Sequence, residues 1–285
     1  MKFGYDLPEL TRFTFGTGKV SDRTNPTHQR VVRQAMEAGV WFHTSAEYAK
    51  GGVFQTLKQA FDEAPSQRPP CIFKVDGKGA DLLRQTVENS LRGTGVERVD
   101  IAQVCGGPTA DDLQPGAALH EAMVELNDKG LVGSYVLEIF WSRSPSVLPI
   151  VEQELFGAYI YYLNVVNREI DNAVHDAIHG KTMDVLALRT LGGGVDNCQA
   201  PPDPDAAREA LEKLYQQSGC DSRFELRMRY VLSRPNVKTT IGATAKPEHL
   251  QALLDGGRNF KPLDPTIVAE IDKLHREWFA DRGLG

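Results

Sequence analysis

Short apolar runs of strand type alternate with amphipathic helical stretches from about residue 28 to residue 255. This rhythm limits the fold more than any other feature of the chain. The strand-type runs fall at residues 11–16, 40–43, 71–75, 99–104, 132–140, 159–166, 183–188 and 237–241. Between them lie THQRVVRQAMEAG, GGVFQTLKQAFDEA, ADLLRQTVENSLRG, GAALHEAMVELNDKG, SPSVLPIVEQEL and DNAVHDAIHG, then helical patterns over 204–217, 221–232 and 247–254. In the first helix Thr27 is the expected N-cap, and Gly39 is the expected terminal glycine. Apolar strands separated by helices mean βαβ units and a parallel sheet buried on both faces. Eight such units in one chain of this length predict an α/β fold, a (β/α)8 TIM barrel. The expected organisation is a single domain over residues 1–285 with a C-terminal helix from Asp264 to Phe279. An open doubly wound sheet is the rival, and it carries a glycine-rich turn after its first strand. Gly16-Thr17-Gly18 is followed neither by a third spaced glycine nor by an immediate helix, so that fingerprint fails.

Composition excludes several classes of function. Lys plus Arg number 32 and Asp plus Glu 38, a formal charge of −6 spread along the chain. That balance argues against a protein that coats nucleic acid or an anionic membrane. No apolar run approaches the ~20 residues of a membrane span, and the N-terminus has no apolar signal-peptide core. Cys71, Cys105, Cys198 and Cys220 form no CxxC pair, so a disulfide scaffold or zinc ribbon is not expected and a cytoplasmic location is. The expected partner is a small-molecule substrate; nothing in the sequence sets the oligomeric state.

In a (β/α)8 barrel the reactive groups gather at the C-terminal ends of the strands. That rule selects His43, Tyr48, Lys74, Cys105, Glu138, Asn167, Arg168 and Arg189, with the turn Gly192-Gly193-Gly194. Trp141 stands at the same end. No metal-ligand spacing occurs among them, so no metal is expected. Glu138 stands in the apolar run Val136-Leu137-Glu138-Ile139-Phe140, where an unpaired charge is costly. Lys74 or Arg189 would satisfy it. Arg189 suits either an anion or a structural ion pair, and the triple glycine either a close approach to pyrophosphate or a plain turn.

Seven segments in order resemble the aldo-keto reductase family. They are Phe15-Gly16-Thr17-Gly18, EAGVWFHTSAEYA, CIFKV, GVERVDIAQVCGGP, KGLVGSYVLEIF, DVLALRTLGGG and YVLSRPNVKTTIGATAKPEHLQALL. The resemblance implies a (β/α)8 barrel that transfers a hydride between NADP(H) and a carbonyl. It implies Tyr48 as general acid and Lys74 as the cation that tunes it. A phenol titrates near 10, so a neighbouring ammonium is needed to make it a better acid.

The same resemblance exposes departures. The family's aspartate position holds His43 and its histidine position holds Cys105. His43 cannot balance a lysine as a carboxylate does, and a thiol is a weak donor for a carbonyl oxygen. On the cofactor side the resemblance assigns Gly16, Thr17, Glu138 with Ile139, Asn167 or Val166, Arg189, Gly192, Gly193, Thr244 and His249. The nicotinamide-stacking aromatic falls at Leu188, a phosphate-side basic residue at Ala243 and the adenine-side asparagine at Leu253. Three readings follow. One is a divergent NADP(H)-dependent reductase. Another is a barrel enzyme doing lyase-, isomerase- or hydrolase-type acid–base chemistry with His43, Tyr48 and Lys74. The third is a non-catalytic binding protein that has lost the cofactor.

Overall fold

A computed structural model describes residues 2–140, 144–192 and 201–279. Eight parallel strands are present: β1 (Phe13–Gly16), β2 (Trp41–Ser45), β3 (Cys71–Asp76), β4 (Val99–Cys105), β5 (Val132–Glu138), β6 (Ala158–Asn164), β7 (Asp184–Leu188) and β8 (Val237–Ala243). Each pairs with the next in sequence, and β8 pairs with β1, so the sheet closes on itself. The expected (β/α)8 barrel is the observed one. Helices α1 (Pro26–Glu37), α2 (Gly52–Glu63), α3 (Ala80–Thr94), α4 (Ala118–Asp128), α5 (Ser144–Glu152) and α6 (Asn172–Gly180) follow the first six strands. Two helices, α7 (Pro204–Gln217) and α8 (Arg223–Leu232), lie between β7 and β8. They are followed by α9 (Pro247–Arg258) and α10 (Pro265–Phe279).

Local sequence explains the helix starts. In α1 the cap is Asn25 rather than Thr27: its side chain accepts from Thr27 N, and Pro26 occupies the first turn. Proline there needs no hydrogen-bond acceptor, which moves the cap one residue ahead of it. Gly39 follows the helix with φ +67°, a left-handed conformation that glycine adopts without cost.

Side chains alternate across each strand. Trp41, Ile72, Ile101, Val136, Ile160, Leu186 and Ile241 form an apolar cluster distinct from the larger core that includes residues of the surrounding helices. Leu7 and Leu10 pack on that smaller cluster, and Trp41 Nε1 donates to the Glu9 carbonyl at 3.2 Å. Polar residues therefore concentrate at the other end, where the strands finish.

The C-terminal helix is fastened by polar groups. Arg234, on the turn after α8, is 6 % exposed and donates to the Tyr230 carbonyl and hydroxyl at 2.8 and 2.7 Å. It also pairs with Asp272 on α10. His275 on α10 is buried and reaches the Val165 carbonyl at 3.1 Å. Asp272→Ala would strand the buried Arg234 cation. It is expected to lower stability by about 3 kcal/mol in urea unfolding, and a loss within measurement error would show that Arg234 is balanced elsewhere.

Candidate functional site

A cavity of about 480 Å³ opens at the C-terminal ends of the strands. His43, Lys74, Gln103, Glu138, Tyr162, Leu188 and Ile241 line it from six of the central strands and β8. Gly16, Gly18 and Lys19 line it from the end of β1, and Arg189 and Leu191 from the end of β7. Gly242 and Ala243 complete the β8 side.

Tyr48 reaches the cavity from a single turn, Tyr48–Gly51, between β2 and α2. Ala49, Lys50 and Gly51 are all left-handed, with φ of 50°, 53° and 87°. Two non-glycine residues in that region cost of order 1 kcal/mol each or more. The turn is anchored where Gly52 packs on Ser21: a Cβ there would lie 2.5 Å from the Ser21 carbonyl oxygen. Tyr48 itself lies beside Gly18, and its ring centroid is 6.3 Å from that of His43.

Lys74 is the inward residue of β3 above Ile72. Its Nζ lies 3.5 Å from Glu138 Oε2 on β5 and 5.5 Å from the centre of the Phe140 ring. Glu138 is almost wholly buried, so the pairing expected of it from the apolar strand is made with Lys74. Burial pulls the Lys74 ammonium down, and Glu138, with Cys105 and Tyr48, more than reverses this, so its pKa is raised overall. Burial pushes the Tyr48 hydroxyl up to about 12 while Lys74 draws it back. Tyr48 is therefore protonated at neutral pH, a donor and not a base.

His43 sits across the cavity from this pair. Its Nε2 donates to Gln103 Oε1 at 2.5 Å, since a carboxamide oxygen can only accept. Burial, only partly offset by that bond, lowers its pKa to about 4, and Lys74 adds to the lowering. Thr17 locks the backbone here: its N and Oγ1 both donate to the His43 carbonyl, at 3.0 and 3.1 Å.

Of the residues selected from sequence, Tyr48, Lys74, His43, Glu138, Gly16 and Arg189 line one cavity. Cys105 ends β4 but does not line it; its thiol donates to the Gln103 carbonyl at 3.4 Å. Burial and the Glu138 charge push that thiol well above its usual range. Arg189 has a left-handed φ of 54° and stacks on Tyr162, its guanidinium carbon 4.4 Å from the ring centre. Asn167 lies in a two-residue antiparallel return against Asn164. Gly192, φ +71°, closes a turn onto the Arg189 carbonyl. Thr244 is buried and accepts from Lys246 N ahead of α9, and His249 is exposed on the first turn of that helix. Gly193, Gly194 and Trp141 lie outside the described residues. Among the described residues no cluster could hold a metal ion.

Gln103, Tyr162 and Lys19 also line the cavity and were not singled out from sequence. The signal for Gln103 was strand parity: it shares a face with Ile101, which belongs to the barrel interior.

A family model described as the aldo/keto reductase family matches residues 12–276. Among solved structures, the holo form of aldo-keto reductase AKR11C1 from Bacillus halodurans superposes with a TM-score of 0.76 at 17 % identity, covering 100 % of this chain and 99 % of that one. An aldo-keto reductase from Klebsiella pneumoniae in complex with NADPH gives 0.68 at 16 %, covering 98 % of each chain. Another from Klebsiella pneumoniae, with NADP and acetate, gives 0.67 at 18 %, covering 95 % of this chain and 93 % of that one. These identities carry the fold. No curated protein matches the sequence.

The buried state of His43 has a pH signature. An unfolded histidine takes a proton near 6.5, and folded His43 does so only near 4. Between these values the unfolded chain binds more protons, so stability is full above about pH 6.5 and falls as pH drops. This group alone contributes a slope approaching about 1.4 kcal/mol per pH unit. His175 and His179 are pushed down in the same sense, to about 3 and about 4, so the acid limb is shared. His43→Asn is expected to make urea unfolding less pH-dependent between pH 6.5 and 4.5; an unchanged slope would mean that His43 is charged in the fold.

Proposed function

The chain belongs to the aldo/keto reductase family, and on that premise we propose that it is an NADP(H)-dependent oxidoreductase interconverting a small carbonyl compound and its alcohol. The observation that carries the reading is the shared cavity of Tyr48 and Lys74, with the ammonium balanced by Glu138. The aspartate position of the family pattern is taken by neutral His43. Glu138 supplies from β5 the carboxylate that this position no longer provides, so Lys74 keeps both its place and its charge.

The cavity fits a nicotinamide cofactor in three respects. Gly16, Gly18, Gly242 and Ala243 leave its β1–β8 edge without large side chains. A Cβ on Gly16 would meet the Gly242 carbonyl oxygen at 3.2 Å. Leu188, Ile241 and Tyr162 offer apolar surface for a flat ring, and Lys19 and Arg189 bring positive charge suited to phosphate groups. Exposed Lys246 adds a further cation just ahead of α9.

When bound, NADPH supplies the hydride that the carbonyl carbon accepts. The protein's part is the proton. Tyr48, un-ionised in the buried mouth, donates its O–H to the carbonyl oxygen as negative charge develops there. Lys74 lowers the cost of the phenolate left behind, being a fixed cation in a water-poor site. The reverse reaction takes the proton from the alcohol back to Tyr48. His43 is a weak base tied through Nε2 to Gln103, which makes it a poor proton acceptor for non-redox acid–base chemistry. The free thiols of Cys71, Cys105 and Cys220 suit a reducing cytoplasm, and among the described residues no helix is long and apolar enough to cross a membrane.

Fluorescence titration is expected to show saturable NADPH binding. Absence of binding at millimolar cofactor would overturn the reading. Tyr48→Phe and Lys74→Met should each reduce kcat by about 100-fold or more while NADPH still binds. Turnover indifferent to both changes would place the chemistry elsewhere.

A further inference from the structure

Two buried polar atoms in the cavity wall lack hydrogen-bond partners, and they are of opposite kind. Gln103 Nε2 is a donor with nothing to donate to, and Glu138 Oε2 is an acceptor with nothing to accept. Both residues line the same cavity. Gln103 is wholly buried and Glu138 is 4 % exposed. The Lys74 ammonium stands 3.5 Å from Glu138 Oε2 as an ion pair but makes no hydrogen bond to it. An unmet buried donor or acceptor costs about 1–3 kcal/mol, so two on residues that line one cavity point to a ligand.

The amide orientation goes with the Nε2–H tautomer of His43. His43 is a neutral ring whose Nε2–H is committed to Gln103 Oε1 at 2.5 Å. That bond fixes the carboxamide with its NH2 group on the other side. His43 is thus a positioning residue that acts through Gln103. The strand register sets the geometry with Glu138. Gln103 pairs with Val136 and Val104 with Leu137, which makes Gln103 and Glu138 diagonal neighbours on adjacent strands, a separation that long side chains bridge. Gln103 also pairs in register with Lys74, so the reacting end of the cavity is adjacent.

A fixed donor beside a fixed acceptor matches a hydroxyl, which is the common small group that accepts and donates at one atom. We infer that Gln103 and Glu138 form a hydroxyl-binding subsite, Gln103 Nε2 donating to and Glu138 Oε2 accepting from a hydroxyl next to the reacting carbonyl, so that the substrate is a small α-hydroxy carbonyl compound. A methyl in that position would leave both atoms unpaired and desolvated. Cys105 is not part of the cavity lining, although its thiol lies close to the Glu138 carboxylate.

The turnover part of this inference rests on the reductase reading; the binding part does not. The probes are hydroxyacetone and butanone, which differ by a hydroxyl against a methyl. In NADPH-coupled assays the wild-type protein is expected to favour hydroxyacetone in kcat/KM by about 100-fold or more, as sites built around a substrate hydroxyl do. Gln103→Met keeps the length of the side chain and removes the amide, and it should bring the ratio of the two towards one. Glu138→Gln should reduce it as well, and Gln103→Glu, which replaces the donor by an acceptor, should do the same. Circular dichroism and the unfolding midpoint check that each variant is folded. Ligand-observed NMR on the cofactor-free protein repeats the comparison without chemistry. Selective binding of hydroxyacetone that Gln103→Met abolishes, with no turnover of either ketone, would sustain the subsite and overturn the reductase reading. Equal handling of the two ketones by wild type in both measurements, or binding of neither, overturns the subsite; so does a preference that survives in folded Gln103→Met.

Discussion

The mouth of the barrel depends on the ion pair between Lys74 and Glu138. Its members come from β3 and β5, which are not neighbours, and β4 carries Gln103 between them. An ammonium and a carboxylate facing each other in a cavity cannot both be left without compensation, and removing either leaves a charge whose desolvation costs several kcal/mol. The pair therefore fixes where positive charge stands in the site. It keeps Lys74 charged in spite of burial, and through Lys74 it governs how readily Tyr48 can release a proton.

On the proposed reading, a family pattern with aspartate on β2 and histidine at the end of β4 is rebuilt from different strands. Here the carboxylate comes from β5. The strand-end position on β4 holds a thiol turned to its own backbone, bonding the Gln103 carbonyl. The polar side chain that does line the cavity is Gln103, one inward step deeper. His43 completes the exchange: in place of an anion that balances lysine, it is an uncharged ring that orients an amide. The electrostatics are conserved in sum, with one cation and one carboxylate, and redistributed in space. The redistribution brings polarity lower into the barrel, directly above Ile72, Ile101 and Val136.

The fold was legible in the sequence because hydrophobic periodicity is local. Each strand and helix announces itself within a dozen residues, and eight βα units without the glycine-rich turn of an open doubly wound sheet point to closure. The Glu138 pairing was legible too, since a carboxylate in an apolar strand demands a cation and Lys74 was one of two available. What could not be read was contact between distant neutral side chains, where no buried charge demands a partner. Gln103 takes its meaning from His43, sixty residues earlier, and no spacing rule links them. Arg168 stood near a strand end and looked like a site residue. The chain instead folds back at Asn164–Asn167, and Arg168 is buried with its Nε on the Ile170 carbonyl. The cap of α1 was missed by two residues because Pro26 decides which side chain can reach the first free amides.

The overall charge of −6 and the charge of the cavity point in opposite directions, and the difference is physical. Among the described residues, Lys19, Lys74 and Arg189 line the cavity with one lining carboxylate, Glu138, and Glu47 acts on Lys74 from nearby. The excess of acidic residues lies elsewhere, much of it on helix surfaces where exposed pairs such as Lys58–Asp62 and Lys213–Glu209 are screened by water. A concave mouth with low-dielectric walls concentrates its own field, so three cations there outweigh a larger number of carboxylates dispersed over the outside. Net charge consequently bears on solubility and on what the surface avoids. The choice of ligand is left to a few buried groups, whose charges and unmet hydrogen bonds are not diluted by solvent.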